Sequence, residues 1–337
     1  MQTNRQVTTA NANRNFALLI AAFAAVYIFW GSTYLAIKYA IETLPPFLMA
    51  GSRFIIAGSI LYVAARLSKD YEKPSWKHWR TSLIVGTLLL LGGNGGVVLA
   101  QHYISSSLAA LLVATEPFWI VLLSWLWLKG TRPNWKVALG LLIGFLGVYL
   151  LIGGQGNSAA GGSGQILGAF FVIAGAFSWA LGSMYGLRAT TPKSSLLTSG
   201  MQMLSGGAVL TLVGFLKGEA ATFNVADVSA HSWFALAYLI IFGSLIGFTA
   251  YSWLLKNAEP AMVSTYAYIN PVIAVFLGWL IAGESFTTQM LVGAGIIVGS
   301  VALITSQDKD AKESVEETEL HESKIPPGNR KTLSASA

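Results

Sequence analysis

Apolar side chains fill this chain in ten blocks of about 18 to 25 residues, divided by short polar breaks. Each block is long enough to cross a hydrocarbon core of roughly 30 Å as a helix. The blocks run from 16 to 40, 46 to 67, 81 to 101, 105 to 128, 134 to 153, 165 to 187, 195 to 216, 232 to 254, 260 to 282 and 286 to 306. Backbone groups in lipid must satisfy one another, so blocks of this length predict helices. The pattern therefore predicts an all-α, polytopic membrane protein with ten transmembrane helices.

The polar breaks carry the orientation. One set of loops holds Arg66, Lys69, Lys73, Lys77 and Arg80, then Lys129, Arg132 and Lys136, then Arg188 and Lys193, then Lys256. The opposite set offers Lys38 and Lys217. Lys and Arg near span ends are retained in the cytoplasm, so both termini are expected inside, with the chain multi-pass in the cell (inner) membrane. Residues 1 to 15 form a cytoplasmic N-terminal tail. Arg5 and Arg14 ahead of an apolar run imitate a secretory leader, but the run continues to about Ala40, which predicts an uncleaved first span. Residues 307 to 337 combine Asp308, Lys309, Asp310, Glu313, Glu316, Glu317, Glu319 and Glu322 with Pro326 and Pro327, and predict a disordered cytoplasmic tail.

Composition strengthens the membrane reading. The 337 residues are 54% hydrophobic and 11% charged, with a mean hydropathy of +0.60, against about a quarter charged in soluble domains. The 35 glycines suit helices that meet through small residues. Cysteine is absent, which excludes disulfides, thiolate metal sites and cysteine nucleophiles. The net charge of +6 does not point to nucleic acid, because the basic residues are spread over short loops and tails.

The second half resembles the first. An offset near 154 lays Glu116-Pro117 of span 4 on Asn270-Pro271 of span 9. Gly31-Ser32-Thr33-Tyr34 meets Gly182-Ser183-Met184-Tyr185, and Gly140/Gly144 in span 5 matches Gly295/Gly299 in span 10 within a residue. Residues 154 to 164 carry no charge and read as a flexible external linker between repeats 16 to 153 and 165 to 306. An odd number of spans per repeat turns the second copy upside down, the plan of carriers whose halves rock about a central site.

The stretches FWGSTY (29 to 34), AGSRF (50 to 54), ATEPFWIVLLSWL (114 to 126), SWALGSMYG (178 to 186) and YINPVIAVFLGWLIAGE (268 to 284) resemble the EamA family of the drug/metabolite transporter (DMT) superfamily. The resemblance covers residues 16 to 306 and rests on the order and spacing of these stretches. It implies a ten-helix inverted-repeat carrier with a central cavity, exporting amino acids, other small metabolites or drugs. In such repeats the fourth helix often ends in Gly-Glu; Gly283-Glu284 fits this, whereas Lys129-Gly130 stands in its place in the first half.

Candidate chemistry lies at mid-depth. Glu116, about eleven residues into span 4, sits where a lone carboxylate costs roughly 2.5 kcal/mol or more, so it must be paired, protonated or wet. It is read either as a cavity residue that meets a substrate ammonium or exchanges a proton, or as a structural hydrogen-bond partner of a neighbouring helix. Arg53 is the natural cation for Glu116 or for a substrate carboxylate, with outward snorkelling the other reading. Trp30, Tyr34 and Lys38 share one helix face at i, i+4 and i+8, and Lys38 is read either as an interfacial anchor or as part of an outer vestibule. Asn270, one turn after Tyr266, stands where Glu116 stands in the first half. Pro117 and Pro271 each free a carbonyl, which marks either a cavity or a packing kink. Asn94, Ser178, Trp179 and Ser183 complete the candidates. His102 reads as a solvated loop residue. No cofactor or metal motif is present, and the GxxxG pairs are compatible with contact inside the fold or across a homodimer.

These features predict a secondary transporter of a small-molecule substrate among membrane lipid, with no ATPase activity. An enzyme acting on a lipid-linked substrate is the alternative. It would call for clustered catalytic carboxylates, His or a metal set in a membrane-facing loop, which the sequence does not display.

Overall fold

The computed structural model describes residues 16–69, 71–128, 135–153, 161–258, 263, 265–285, 287–300 and 302–303. Both expected tails, Lys129, Gly130, Arg132 and linker residues 154–160 lie outside that set.

Among the described residues the architecture is all-helical. The chain forms α1 (Phe16–Ala40), α2 (Pro46–Leu67), α3 (Trp76–Ala100) and α4 (Ser106–Trp127), then a shorter α5 (Trp135–Gly153). The second half follows with α6 (Gly161–Arg188), α7 (Ser195–Leu216), α8 (Ala230–Leu254) and the shorter apolar helices α9 (Tyr266–Ala282) and α10 (Thr288–Ser300). Seven of these, α1 to α4 and α6 to α8, are long and apolar enough to cross a bilayer. The outside of the bundle is apolar, as a protein dissolved in lipid requires: Ile60, Leu142, Tyr149, Phe170, Phe234, Val272 and Leu280 all face outward.

Capping sets several boundaries. Pro46 opens α2 at the position where a missing N–H costs nothing. Helix α3 starts at Trp76, earlier than the apolar block, because Ser75 and His78 form a reciprocal capping box. Helix α6 starts at Gly161, so 161–164, read as linker from their glycine content, are helical. Within α4 the helix is interrupted: Ser106–Val113 ends, Ala114 and Thr115 turn, and a second piece begins at Glu116. Pro117 thus sits in the first turn of a new helical piece, where proline is tolerated, whereas Pro271 lies inside α9. The two prolines that align in sequence do different local work.

Contacts fix the relative direction of the helices. In the largest interface, α2 against α7, a Cβ on Gly51 would meet Thr211 and Gly207, and one on Gly58 would meet Leu204 and Gly200. Position rises along one helix as it falls along the other, so α2 and α7 are antiparallel. The same holds for α5 and α10, where Gly144 approaches Ser300, Gly147 approaches Ile297, and Gln289 donates to the Leu150 carbonyl. It holds again for α4 and α9, joined by Ser106 to Glu284 and by Glu116 to Tyr266. Helices α1 and α9 instead run parallel, with Tyr27 at Thr265, Gly31 at Ile273 and Lys38 at Glu284. A Cβ placed on Gly295 or Gly299 would meet nothing within 4 Å among the described residues, so this GxxxG pair makes no close contact there.

Three stretches wind as π-helix: Val26–Trp30 in α1, Thr87–Asn94 in α3 and Leu239–Phe248 in α8. The last two occupy matching places in the two halves. Wider turns leave carbonyls open to side-chain donors, and such turns recur at functional sites.

Candidate functional site

The three π-helical stretches, the break in α4 and the start of α9 converge on one chamber. Its empty space, with the open mouth counted in, is about 740 Å³. Its walls include Trp30, Thr33 and Tyr34 from α1, Arg53 from α2, Asn94 from α3, Glu116 from α4, Trp179 from α6, Gly243 and Phe248 from α8, and Tyr266 and Asn270 from α9. Eight sequence candidates therefore meet in one place: Trp30, Tyr34, Arg53, Asn94, Glu116, Trp179, Tyr266 and Asn270. Lys38 and Ser183 do not line it. Lys38 pairs with Glu284, 2.8 Å away, and Ser183 is half-buried on α6.

Glu116 opens the second piece of α4, where the helix N-terminus favours a negative charge. Its partner is Tyr266, whose hydroxyl donates to the carboxyl at 3.0 Å from Oε1 and 2.8 Å from Oε2. Arg53 does not pair with Glu116. Its Nε donates to Ser244 Oγ at 2.8 Å, its guanidinium lies 4.7 Å from the centre of the Phe54 ring, and Nη1 has no hydrogen-bond partner among the described residues. The guanidinium fits against α8 because residue 243 is glycine: a Cβ there would stand 2.8 Å from Arg53 Nη2. Both residues are 4% exposed, and they line one chamber without bonding each other.

Other chamber groups are also unfilled by protein. Asn94 Oδ1, Trp179 Nε1 and Asn270 Oδ1 have no hydrogen-bond partner among the described residues. A buried polar atom left so costs about 1–3 kcal/mol, a cost a polar solute or water removes. The remaining wall is aromatic. Trp30 donates from Nε1 to the Gly243 carbonyl at 3.0 Å, packs 4.9 Å from Tyr251, and meets Tyr266 and Trp179 edge-on at 5.5 and 6.0 Å. Such rings attract a cation at their faces and cover apolar surface at their edges.

Thr33, Gly243, Ser244 and Tyr251 are absent from the sequence candidates. The signal was within reach for two of them: Gly243-Ser244 is a polar interruption of the apolar run in α8. Nothing in the sequence distinguishes Thr33 or Tyr251 from packing residues.

Comparison with known proteins agrees with this architecture. The EamA-like transporter family matches twice along the chain, over residues 16–153 and 166–306. The chain belongs to this family. Among its relatives, the uncharacterized inner membrane transporter YedA of Escherichia coli strain K12 is 38% identical over 294 residues, covering 87% of this chain and 92% of the relative. The uncharacterized transporter YvbV of Bacillus subtilis is 28% identical, covering 88% and 93%. The chloroplastic WAT1-related protein At3g02690 of Arabidopsis thaliana is 25% identical, covering 82% and 67%. A solved crystal structure aligns with a TM-score of 0.59 at 21% identity, over 86% of this chain and 98% of that one, which establishes likeness of fold. The chain is thus a polytopic helical membrane protein of a transporter family.

Proposed function

We propose that this protein is a secondary transporter of the cell (inner) membrane, with ten spans in two inverted repeats, that exports a small metabolite of the amino acid class by alternating access. Three pairs of sequence-equivalent helices, α2/α7, α4/α9 and α5/α10, run antiparallel, as a repeat copied upside down requires. Lysine and arginine cluster on loops of one side, which supports cytoplasmic termini.

The observation that carries the reading is the separated pair Arg53 and Glu116 in a chamber with unfilled amide and indole groups. A solute with a carboxylate at one end and an ammonium at the other satisfies both: the carboxylate at Arg53 Nη1, the ammonium at Glu116, Asn270 Oδ1 and the Trp30 and Tyr266 rings. The solute is carried without chemical conversion.

Purified protein in liposomes, preloaded with one amino acid, should accumulate the labelled form by counterflow. Glu116→Gln and Arg53→Gln should each reduce the initial rate by on the order of tenfold or more, the loss of one charge-assisted contact. Counterflow of amines or sugars in preference to amino acids, or rates unchanged in both variants, would overturn the reading.

A further inference from the structure

Glu284 closes α9 in a specific way. Gly283 takes a left-handed backbone, φ +62°, and the Glu284 N–H returns to the Gly278 carbonyl at 3.0 Å, so the chain folds back over the helix end. The side chain then points at the start of α4. Oε1 accepts from Ser106 N–H at 3.0 Å and Ser106 Oγ at 2.8 Å, and Oε2 accepts from Ser107 N–H at 3.1 Å and from the Ser107 hydroxyl. Lys38 Nζ, from α1, reaches Oε1 at 2.8 Å. One carboxylate, 6% exposed, thus collects five donors from two other helices. On the same helices Ile37, Leu108, Ala109, Leu112 and Ala274 are all buried.

The opposite ends of the same helices are held differently. There α1 meets α9 through a neutral contact, Tyr27 hydroxyl to Thr265 Oγ1 at 2.5 Å, above a cluster of Val26, Leu254, Val263, Tyr266 and Ala267. The repeat register does not place the same four residues at the equivalent end. Opposite Gly283-Glu284 the first half has Lys129-Gly130; opposite Ser106-Ser107 the second half has Pro260-Ala261; and opposite Lys38 stands Ala189.

We propose that Lys38, Glu284, Ser106 and Ser107 form a latch that shuts the chamber at the face where α1 and α9 end, so that opening at this face requires breaking a charged junction. This rests on the alternating-access reading and adds its regulation: the resting carrier is biased toward the state closed at the Glu284 face. Charge-assisted bonds are about twice as strong as neutral ones, and in a partly desolvated position they are not replaced by water without cost.

The natural absence of cysteine makes the test direct. Ile37 lines the chamber just under Lys38, so Ile37→Cys reports its opening to a membrane-impermeant maleimide, applied to intact cells and to inverted vesicles. Glu284→Gln removes the charge and keeps one amide oxygen, enough to accept from one of the two serine N–H groups, and Lys38→Gln removes the cation; total labelling after unfolding controls for amount of protein. Each should raise the labelling rate from the Glu284 face by on the order of tenfold. In intact cells this also supports an external Glu284 face; in inverted vesicles it supports the latch and reverses the orientation. Rates equal to the Ile37→Cys parent from both sides would overturn the latch. Labelling needs no solute, so a failure of counterflow with latched labelling intact would sink the transport reading alone.

Discussion

Replacing Gly51 with alanine tests the packing on which the bundle depends. A Cβ at residue 51 would collide with Thr211 Oγ1 and lie 2.8 Å from Thr211 N and 3.1 Å from the Gly207 carbonyl oxygen. The hydroxyl belongs to a side chain, but it is held by its bond to the Gly207 carbonyl at 2.9 Å. The backbone nitrogen cannot turn away. It falls about 0.6 Å short of the 3.4 Å at which ordinary contact begins, so α2 and α7 must part along their whole interface. Overpacking of this kind costs about 1–3 kcal/mol, which lowers a melting midpoint by about 2–4 °C per kcal/mol. Purified protein in detergent, melted with tryptophan fluorescence as the readout, should show Gly51→Ala several degrees below wild type. Adding Thr211→Ala removes the hydroxyl clash but not the backbone one, so recovery should be partial. Gly299→Ala, where a Cβ would meet nothing within 4 Å among the described residues, should melt at or above wild type because alanine favours helix by up to about 1 kcal/mol. A Gly51→Ala protein as stable as wild type would refute the close antiparallel contact of α2 and α7.

Tyr266→Phe removes the hydrogen bond to the Glu116 carboxyl and should cost about 1–3 kcal/mol; a double-mutant cycle with Glu116→Gln should give a coupling energy of similar size, and zero coupling would show that the pair does not interact. Burial alone would raise the pKa of Glu284, but hydrogen bonds from Lys38, Ser107 and Ser106, with the Lys38 charge, hold it at about 2. A carboxylate whose pKa is lowered on folding contributes stability that is present above its unfolded value near 4.5 and is lost as pH falls toward 2. Between pH 6 and pH 3 the melting midpoint should therefore drop further in wild type than in Glu284→Gln, and equal drops would count against this junction.

The ten apolar blocks, the short connections and the doubled plan are legible in the sequence because lipid imposes one simple rule, that a crossing segment bury its own backbone bonds and present apolar side chains. The membership of Glu116, Arg53, Asn94, Trp179 and Asn270 in one site was legible too, since polar groups at mid-depth have few places to go. What the chain could not announce was pairing. The partner of Glu116 is Tyr266 and not Arg53, whose Nε donates instead to Ser244 on α8. Lys38, read as an anchor or a vestibule residue, is tied to Glu284 across 246 positions of sequence. Periodicity and hydropathy are local properties and set the helices; which faces meet depends on close approach between helices far apart in the chain, and that only the tertiary structure decided.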